Sequence, residues 1–457
     1  MEVNNKWLCY NEEQKNLAYE FCEGYKDFLS NSKTERESIK NAIALAEANG
    51  FRNINDLIKN NEKLNPGDKV YAINMNKAIV LFVIGEEAFE KGLNIVGAHI
   101  DSPRLDLKCN PIYENSGFCL LDTHYYGGIK KYQWVTTPLA LHGIVCKKDG
   151  TKIDFVIGEN EDDPVFAITD LLPHLDKDKQ NRKEVIEGEE LDLIVGNIPD
   201  KDEKENPIAK NIMNLLNELG IEEDDFLSAE IEVVPSGRAR DFGLDRSMIL
   251  GYGHDDRSCA YSSLKAILGV KNPKRTAVCL LVDKEEIGSV GATGMKSKFF
   301  ENMVAEVMNL FEGYQELKFK RCLNHSCMIS SDVTAGYDPV WPAPMNKKTE
   351  AFLSRGISFN KFTGHRGKSE ANDANPEFIA RLRKICEDNK ILFQFNEMGK
   401  VDAGGGGTIA YILAEYGMEV IDAGIPLLSM HAPWEVASKL DIYESYRFYD
   451  VFLNSFE

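Results

Sequence analysis

Apolar and polar positions follow three different rhythms along the chain. Up to about residue 50 the spacing is helical. Thr34 and Glu37 form a capping box, and Gly50 stops the helix that ends in Ala-Leu-Ala-Glu-Ala-Asn. Three short β-type runs follow at 69–74, 79–84 and 94–98, the last leading straight into His99. From about 107 to 240 the texture changes to alternating, aromatic-rich stretches such as 118–126 and 139–146. A hairpin signal stands at Asp149-Gly150, and charged loops surround 159–163 and 200–205. Past a connecting stretch at 241–250, strands and helices take turns. The pattern predicts a helix after Asp255, strands at 277–282 and 326–330, a helix at 376–387, a strand at 391–395, a helix after Thr408 and a strand at 419–423. This is an α/β rhythm with a largely parallel sheet, divided into 1–106 and 241–457 by an inserted, mainly β domain at 107–240.

Composition narrows the class. At 457 residues the chain has length for two or three domains, and 43% hydrophobic with 28% charged residues is ordinary for a soluble globular protein. No apolar run approaches the ~20 residues of a membrane span, and the first residues lack a signal-peptide layout, so the expectation is a cytoplasmic protein. The ten cysteines include no C-x-x-C pair and read as reduced core residues; Cys322, His325 and Cys327 are weak grounds for a structural metal. A net charge of -20 repels phosphate and argues against nucleic-acid or anionic-membrane partners.

The chemistry gathers where apolar runs end. The run 277–282 closes on Asp283-Lys284-Glu285-Glu286, and adjacent carboxylates at a buried strand end can divide labour between a cation and a proton. Four other runs end on ligand-type residues: His99-Ile100-Asp101, Asp255-Asp256, Asp332 and His431. In open α/β sheets, sites collect beyond the carboxyl ends of strands. Two imidazoles with several carboxylates are a donor set that suits zinc, with cobalt and manganese also able to occupy it. Asp101 is placed either to accept the second imidazole N–H of His99 or to cap the Ser102-Pro103 bend.

The segments His99-Ile100-Asp101-Ser102-Pro103-Arg104-Leu105, Asp255-Asp256-Arg257-Ser258, Glu285-Glu286-Ile287-Gly288-Ser289, Ser331-Asp332 and Met430-His431 resemble the motifs of aspartyl-aminopeptidase-type zinc metallopeptidases. The likeness covers essentially the whole chain. It implies a zinc-peptidase (phosphorylase/hydrolase-like) three-layer αβα core with an inserted dimerisation domain. It implies two zinc ions per subunit, His99 and His431 on one each, Asp255 bridging, and Glu286 and Asp332 completing the set, with Glu285 as general base. It also implies that His174 reaches a neighbouring subunit's site, in a homo-oligomer built from dimers that becomes a dodecamer in related enzymes. His254 is read as packed or hydrogen-bonded, Asp256 as pairing Arg257 or capping the next helix, and His124, His142, His325 and His365 as structural.

The run Asp402-Ala403-Gly404-Gly405-Gly406-Gly407-Thr408 precedes an expected helix. It lacks the lysine of a phosphate-binding loop, so Gly405 and Gly406 are read as glycines beside which substrate backbone passes, as in the family. Lys361, ahead of Arg366 and Lys368, is the candidate pocket cation for an acidic N-terminal residue; a neutral preference is the other reading. The function expected is therefore a dinuclear zinc aminopeptidase acting on peptides. The alternatives are a non-catalytic assembly or cargo protein of the same fold, and a metal-dependent hydrolase of other bonds, such as a deacylase.

Overall fold

Strands rich in Val, Ile and Leu need both faces covered, and the apolar runs supply the centre of such a sheet. The computed structural model describes residues 5–176, 185–364, 366–369 and 371–456. The chain forms two compact units: Met1–Asp101, Ala239–Met430 and Glu435–Glu457 make the first, Ser102–Arg238 and His431–Trp434 the second. His365 lies outside the described residues. Among those described, no helix is long and apolar enough to cross a membrane.

The first unit is built on a nine-stranded sheet. Its strands are β1 (Arg52–Asn53), β2 (Lys69–Asn74), β3 (Ala78–Val83), β4 (Asn94–His99), β5 (Ala277–Val282), β6 (Cys327–Ser330), β7 (Ile357–Asn360), β8 (Phe393–Asn396) and β9 (Glu419–Gly424). Their order is β1-β2-β3-β5-β4-β6-β9-β7-β8. The sheet is mixed. The central four, β5-β4-β6-β9, run parallel, whereas β2 and β5 pair antiparallel with β3 and β7 pairs antiparallel with β9. Alternation on the fully buried strands divides two cores. Cys279 and Leu281 join residues of the helices Glu12–Ser30, His254–Gly269 and Lys439–Ser455. Val278, Leu280 and Val282 join the helices Phe299–Phe311 and Glu316–His325. Each fully buried aliphatic side chain here contributes about 1.5–3 kcal/mol.

Local signals place several boundaries. The Thr34 cap and Glu37 return bond are both present, and the helix Glu35–Ala48 ends before Gly50 at φ 83°. The glycine run does not open a helix directly: Gly405 sits at φ 123° in a loop, and the helix that follows is only Ala410–Ala414. Four consecutive glycines carry too much backbone entropy to start one. A separate five-stranded sheet combines Arg240–Phe242, Met248–Gly251, Glu435–Ser438, Pro426–Leu428 and Thr334–Ala335 in that order.

The second unit has a six-stranded antiparallel sheet, ordered Lys152–Ile157, Leu139–Cys146, Ala229–Pro235, Arg104–Asn115, Phe118–Tyr126 and Leu193–Gly196, with the helix Pro207–Glu218. The first two strands form a hairpin, and Gly150 takes the left-handed conformation its turn needs (φ 89°). All ten cysteines are free.

One buried acid in β9 yields a stability prediction. Burial pushes the Asp422 carboxyl up to about 6, against the pull of the Ser330 and Thr408 hydroxyls. Because the folded value lies above the unfolded one, its stabilising share is complete below about pH 4 and is lost as pH rises through 6. Asp422→Asn should raise stability at pH 8 by on the order of 3 kcal/mol and match the native chain near pH 4. Urea melts at the two pH values check this; an equal gain at both would exclude the carboxyl's charge as the cause.

Candidate metal centre

Three adjacent parallel strands present the site. Val282 lies opposite His99 and Ser330 opposite Gly97, so β5, β4 and β6 finish at one edge of the sheet. His99 is the last residue of β4; Glu285-Glu286 and Asp332 come just after β5 and β6. The other two expected strand ends are corrected. The strands before Asp255 and His431, Met248–Gly251 and Pro426–Leu428, belong to the five-stranded sheet. Asp255 reaches the cluster another way. Gly253, at φ 77°, turns the chain into the helix His254–Gly269, and Asp255 and Asp256 keep non-helical backbone inside its first turn. The Asp255 N–H donates to the buried Glu435 carboxylate at 3.1 Å.

Asp101 ties this edge together. Its two carboxylate oxygens accept the backbone N–H groups of Glu285 (3.1 Å) and Glu286 (3.2 Å). Lys284, left-handed at φ 69°, makes the bend that turns these N–H groups towards it. Nδ1 of His99 lies 3.0 Å from the Asp101 carbonyl oxygen and 3.2 Å from its carboxylate. The opposite ring nitrogen, Nε2, points at Asp255 Oδ1, 3.2 Å away, without the alignment of a hydrogen bond.

The electrostatics are those of crowded acids. Burial disfavours an imidazolium, yet Asp101, Asp255 and Glu285 outweigh it and hold the His99 value well above the ordinary one. Burial, then the charge of Asp255 and Glu285, pushes Asp256 well up; His99 and the Cys259 thiol oppose this. Burial, with Asp256, Glu285 and Asp255, does the same to Asp332. Asp256 does not pair with Arg257. That arginine is fully buried and donates to the backbone carbonyls of Ile100 (3.2 Å) and Lys33 (2.8 Å), leaving Asp256 turned to the cluster.

Donor atoms fall into two groups that share His99. His99, Asp256 and Asp332 form one; His99, Asp255 and Glu286 form the other, with donors within 4.8 Å of one another in each. A buried, unbonded imidazole nitrogen facing carboxylates that burial drives towards protonation fits a divalent cation, and the nitrogen–oxygen set fits zinc.

The remaining candidates are placed as follows. His431, left-handed at φ 65°, is in the second unit, its Nδ1 2.9 Å from the Gly128 carbonyl oxygen. His174 is exposed in that unit, beside exposed Leu171, Leu172 and Leu175. Lys361 is exposed, and the loop after it bonds the glycine run through Gly364 N–H to the Gly406 carbonyl at 2.8 Å. A Cβ on Gly404 would stand 1.8 Å from the Met398 carbonyl oxygen, and one on Gly406 3.2 Å from the Met398 methyl, so close packing shapes the loop around Gly405. His254 is neutral: burial takes it down to about 3, and its ring nitrogens meet the Tyr25 hydroxyl (2.7 Å) and the Ile249 carbonyl oxygen (3.2 Å). His124, His142 and His325 contact a backbone carbonyl or Glu159. Glu435 and Arg257 were missed from the sequence; a charge inside a short apolar strand, Trp434-Glu435-Val436-Ala437, was the available signal for the first.

A buried cage of imidazole and carboxylates, set at the carboxyl edge of an α/β sheet, defines a metal-dependent hydrolase. Comparison with known proteins narrows the class. Residues 28–453 match the family described as Aminopeptidase I zinc metalloprotease (M18). The chain is 55% identical to Probable M18 family aminopeptidase 1 of Clostridium acetobutylicum, over 99% of this chain and 98% of that one. It is 42% identical to the protein of the same name from Thermotoga maritima, over 98% and 97%. The crystal structure of the Thermotoga maritima M18 aminopeptidase aligns over 100% of both chains with a TM-score of 0.94 at 42% identity. That of aminopeptidase I from Clostridium acetobutylicum does so at 0.93 and 53%. The chain belongs to the M18 zinc metalloprotease family and is a metalloaminopeptidase, a peptide-bond hydrolase.

Proposed function

We propose that the chain is a dinuclear zinc aminopeptidase in which Glu285 is the general base. The observation that supports this best is the grip of Asp101 on His99 and on both glutamates of the Glu285-Glu286 turn, which fixes an imidazole donor, a carboxylate donor and a second carboxylate at one edge. In this reading His99, Asp255, Glu286 and Asp332 hold the metal, with Asp255 shared. Bound ions would acidify a water and polarise the scissile carbonyl. Glu285 takes the water's proton and returns it to the leaving amine. Asp101 keeps the His99 proton on Nδ1, so that Nε2 presents its lone pair.

The α/β core is read as the three-layer αβα arrangement of zinc peptidases, since alternate residues of β5 enter separate helix-lined cores. His174, exposed among leucines, is assigned to contact with a second copy in a homo-oligomer, for which dimers are the building block. Gly405 and Gly406 are assigned to the substrate backbone, and Lys361, on the adjoining loop, to an acidic N-terminal side chain.

Metal analysis of the purified protein should give about two zinc ions per chain, and aminoacyl-naphthylamides should be cleaved only with a free α-amine. Equal turnover of N-acetylated substrates would replace this reading with a deacylase-type one; metal binding without turnover would indicate an assembly protein. Lys361→Ala should raise KM for an aspartyl substrate severalfold and leave a leucyl substrate unchanged. Equal effects on both would remove Lys361 from the pocket.

A further inference from the structure

The first turn of the helix His254–Gly269 cannot hold itself in place. Asp255 (φ -84°, ψ 104°) and Asp256 (φ -118°, ψ 28°) have non-helical backbone, so this stretch depends on anchors outside the helix. Three are present. The His254 ring meets Tyr25 and Ile249, and the Asp255 N–H meets Glu435. The third anchor is the side chain of Arg257, and of the three it is the one that reaches the strand end bearing His99.

Arg257 is fully buried, and a guanidinium is costly to take out of water, so the bonds it makes there are informative. Nε donates to the Ile100 carbonyl at 3.2 Å and Nη2 to the Lys33 carbonyl at 2.8 Å, with the guanidinium carbon 5.4 Å from the centre of the Tyr252 ring. Ile100 stands between His99 and Asp101, and its own N–H donates to the Val282 carbonyl at 2.9 Å. The peptide plane that carries the Ile100 carbonyl also carries the Asp101 nitrogen. The bond from Arg257 therefore fixes the plane from which Asp101 departs, and Asp101 in turn faces His99 and accepts from Glu285 and Glu286. The Lys33 anchor is itself stiff. Lys33 and Thr34 both give their N–H groups to the Glu37 carboxylate, at 2.9 and 3.1 Å, in the capping box of the helix Glu35–Ala48. One side chain thus joins the helix start that carries Asp255, the strand end that carries His99 and the cap of an N-terminal helix.

On the reading that His99 and Asp255 hold metal, we propose that Arg257 is a positioning residue for the metal centre. It sets the separation of His99 Nε2 and Asp255 Oδ1, 3.2 Å, by holding the backbone on which each stands. An arginine that only supported the fold would change stability and leave the bound metal as it is. Two variants separate these roles. Arg257→Met keeps a long side chain without donors, and Arg257→Lys keeps the charge without the fork that spans two carbonyls. Zinc affinity, from competition with a zinc-sensitive dye, should fall 10- to 100-fold in Arg257→Met, the range for groups that orient a ligand, and by less in Arg257→Lys. The visible absorption of cobalt-saturated protein, which reports ligand geometry, should depart from the native spectrum in both, more so in Arg257→Met. Urea melts of the same samples show which variants are folded. If Arg257→Met does not fold, Arg257→Lys decides: native zinc affinity with a native cobalt spectrum would overturn the proposal. A folded Arg257→Met that melts early yet binds both metals as the native chain does would overturn it equally. Failure of the native chain to take up cobalt would remove the metal reading, and the role of Arg257 with it; uptake unchanged by either variant removes the role of Arg257 alone.

Discussion

Glu285→Gln should lower kcat on an aminoacyl-naphthylamide about 10³-fold, the scale of a lost general base, while zinc content stays at the native level. Glutamine keeps the shape of the side chain and cannot take a proton. The backbone N–H that Glu285 gives to Asp101 is untouched by the change, so the turn that also places Glu286 stays in position. A drop in kcat with KM preserved is therefore the expected signature. Native turnover in the variant would reassign the base, and a parallel loss of zinc would show that Glu285 is a ligand.

Asp101→Ala should weaken metal binding 10- to 100-fold, the range for groups that orient a ligand, and should lower turnover at limiting zinc. The substitution removes the acceptor of two backbone N–H groups and the carboxylate beside His99 Nδ1. The turn after β5 then loses its tether, and His99 Nδ1 keeps only the Asp101 backbone carbonyl, without the carboxylate charge beside it. Competition with a zinc-sensitive dye measures the affinity directly. Asp101→Asn separates the two roles. Its carbonyl oxygen accepts one N–H while its amide donates, so it should sit between the native chain and Asp101→Ala. Native zinc affinity in both variants would confine Asp101 to the bend at Ser102-Pro103.

The limits of reading the sequence follow from the scale of each interaction. The strands 118–126, 139–146 and 277–282 were legible to the residue, because burial on one or both faces imprints a strong local pattern. His99, Glu285-Glu286 and Asp332 were legible as neighbours for the same reason: each ends a run whose apolar content marks it as central in a sheet. Sheet membership was not. The short runs before Asp255 and His431 look like those before His99, yet backbone pairing places them in another sheet, and no periodicity within four residues carries that information. The sheet also proved mixed, since the direction of β3 and β7 depends on the connections between strands. Arg257 and Glu435 carry charge, which locally signals a surface; only the tertiary fold shows them buried on backbone partners. Asp256 faces the acids because Arg257 is held by Ile100 and Lys33, residues remote in sequence.

The Asp101 carboxylate stands 3.2 Å from an imidazole nitrogen on one side and accepts the backbone N–H groups of two successive glutamates on the other, which couples the two strand ends. Substitutions near His99 and near Glu285 are therefore expected to show epistasis: their free-energy effects should deviate from additivity while Asp101 is in place and become additive once it is removed. Through this single side chain, the history of one strand end constrains the changes open to the next.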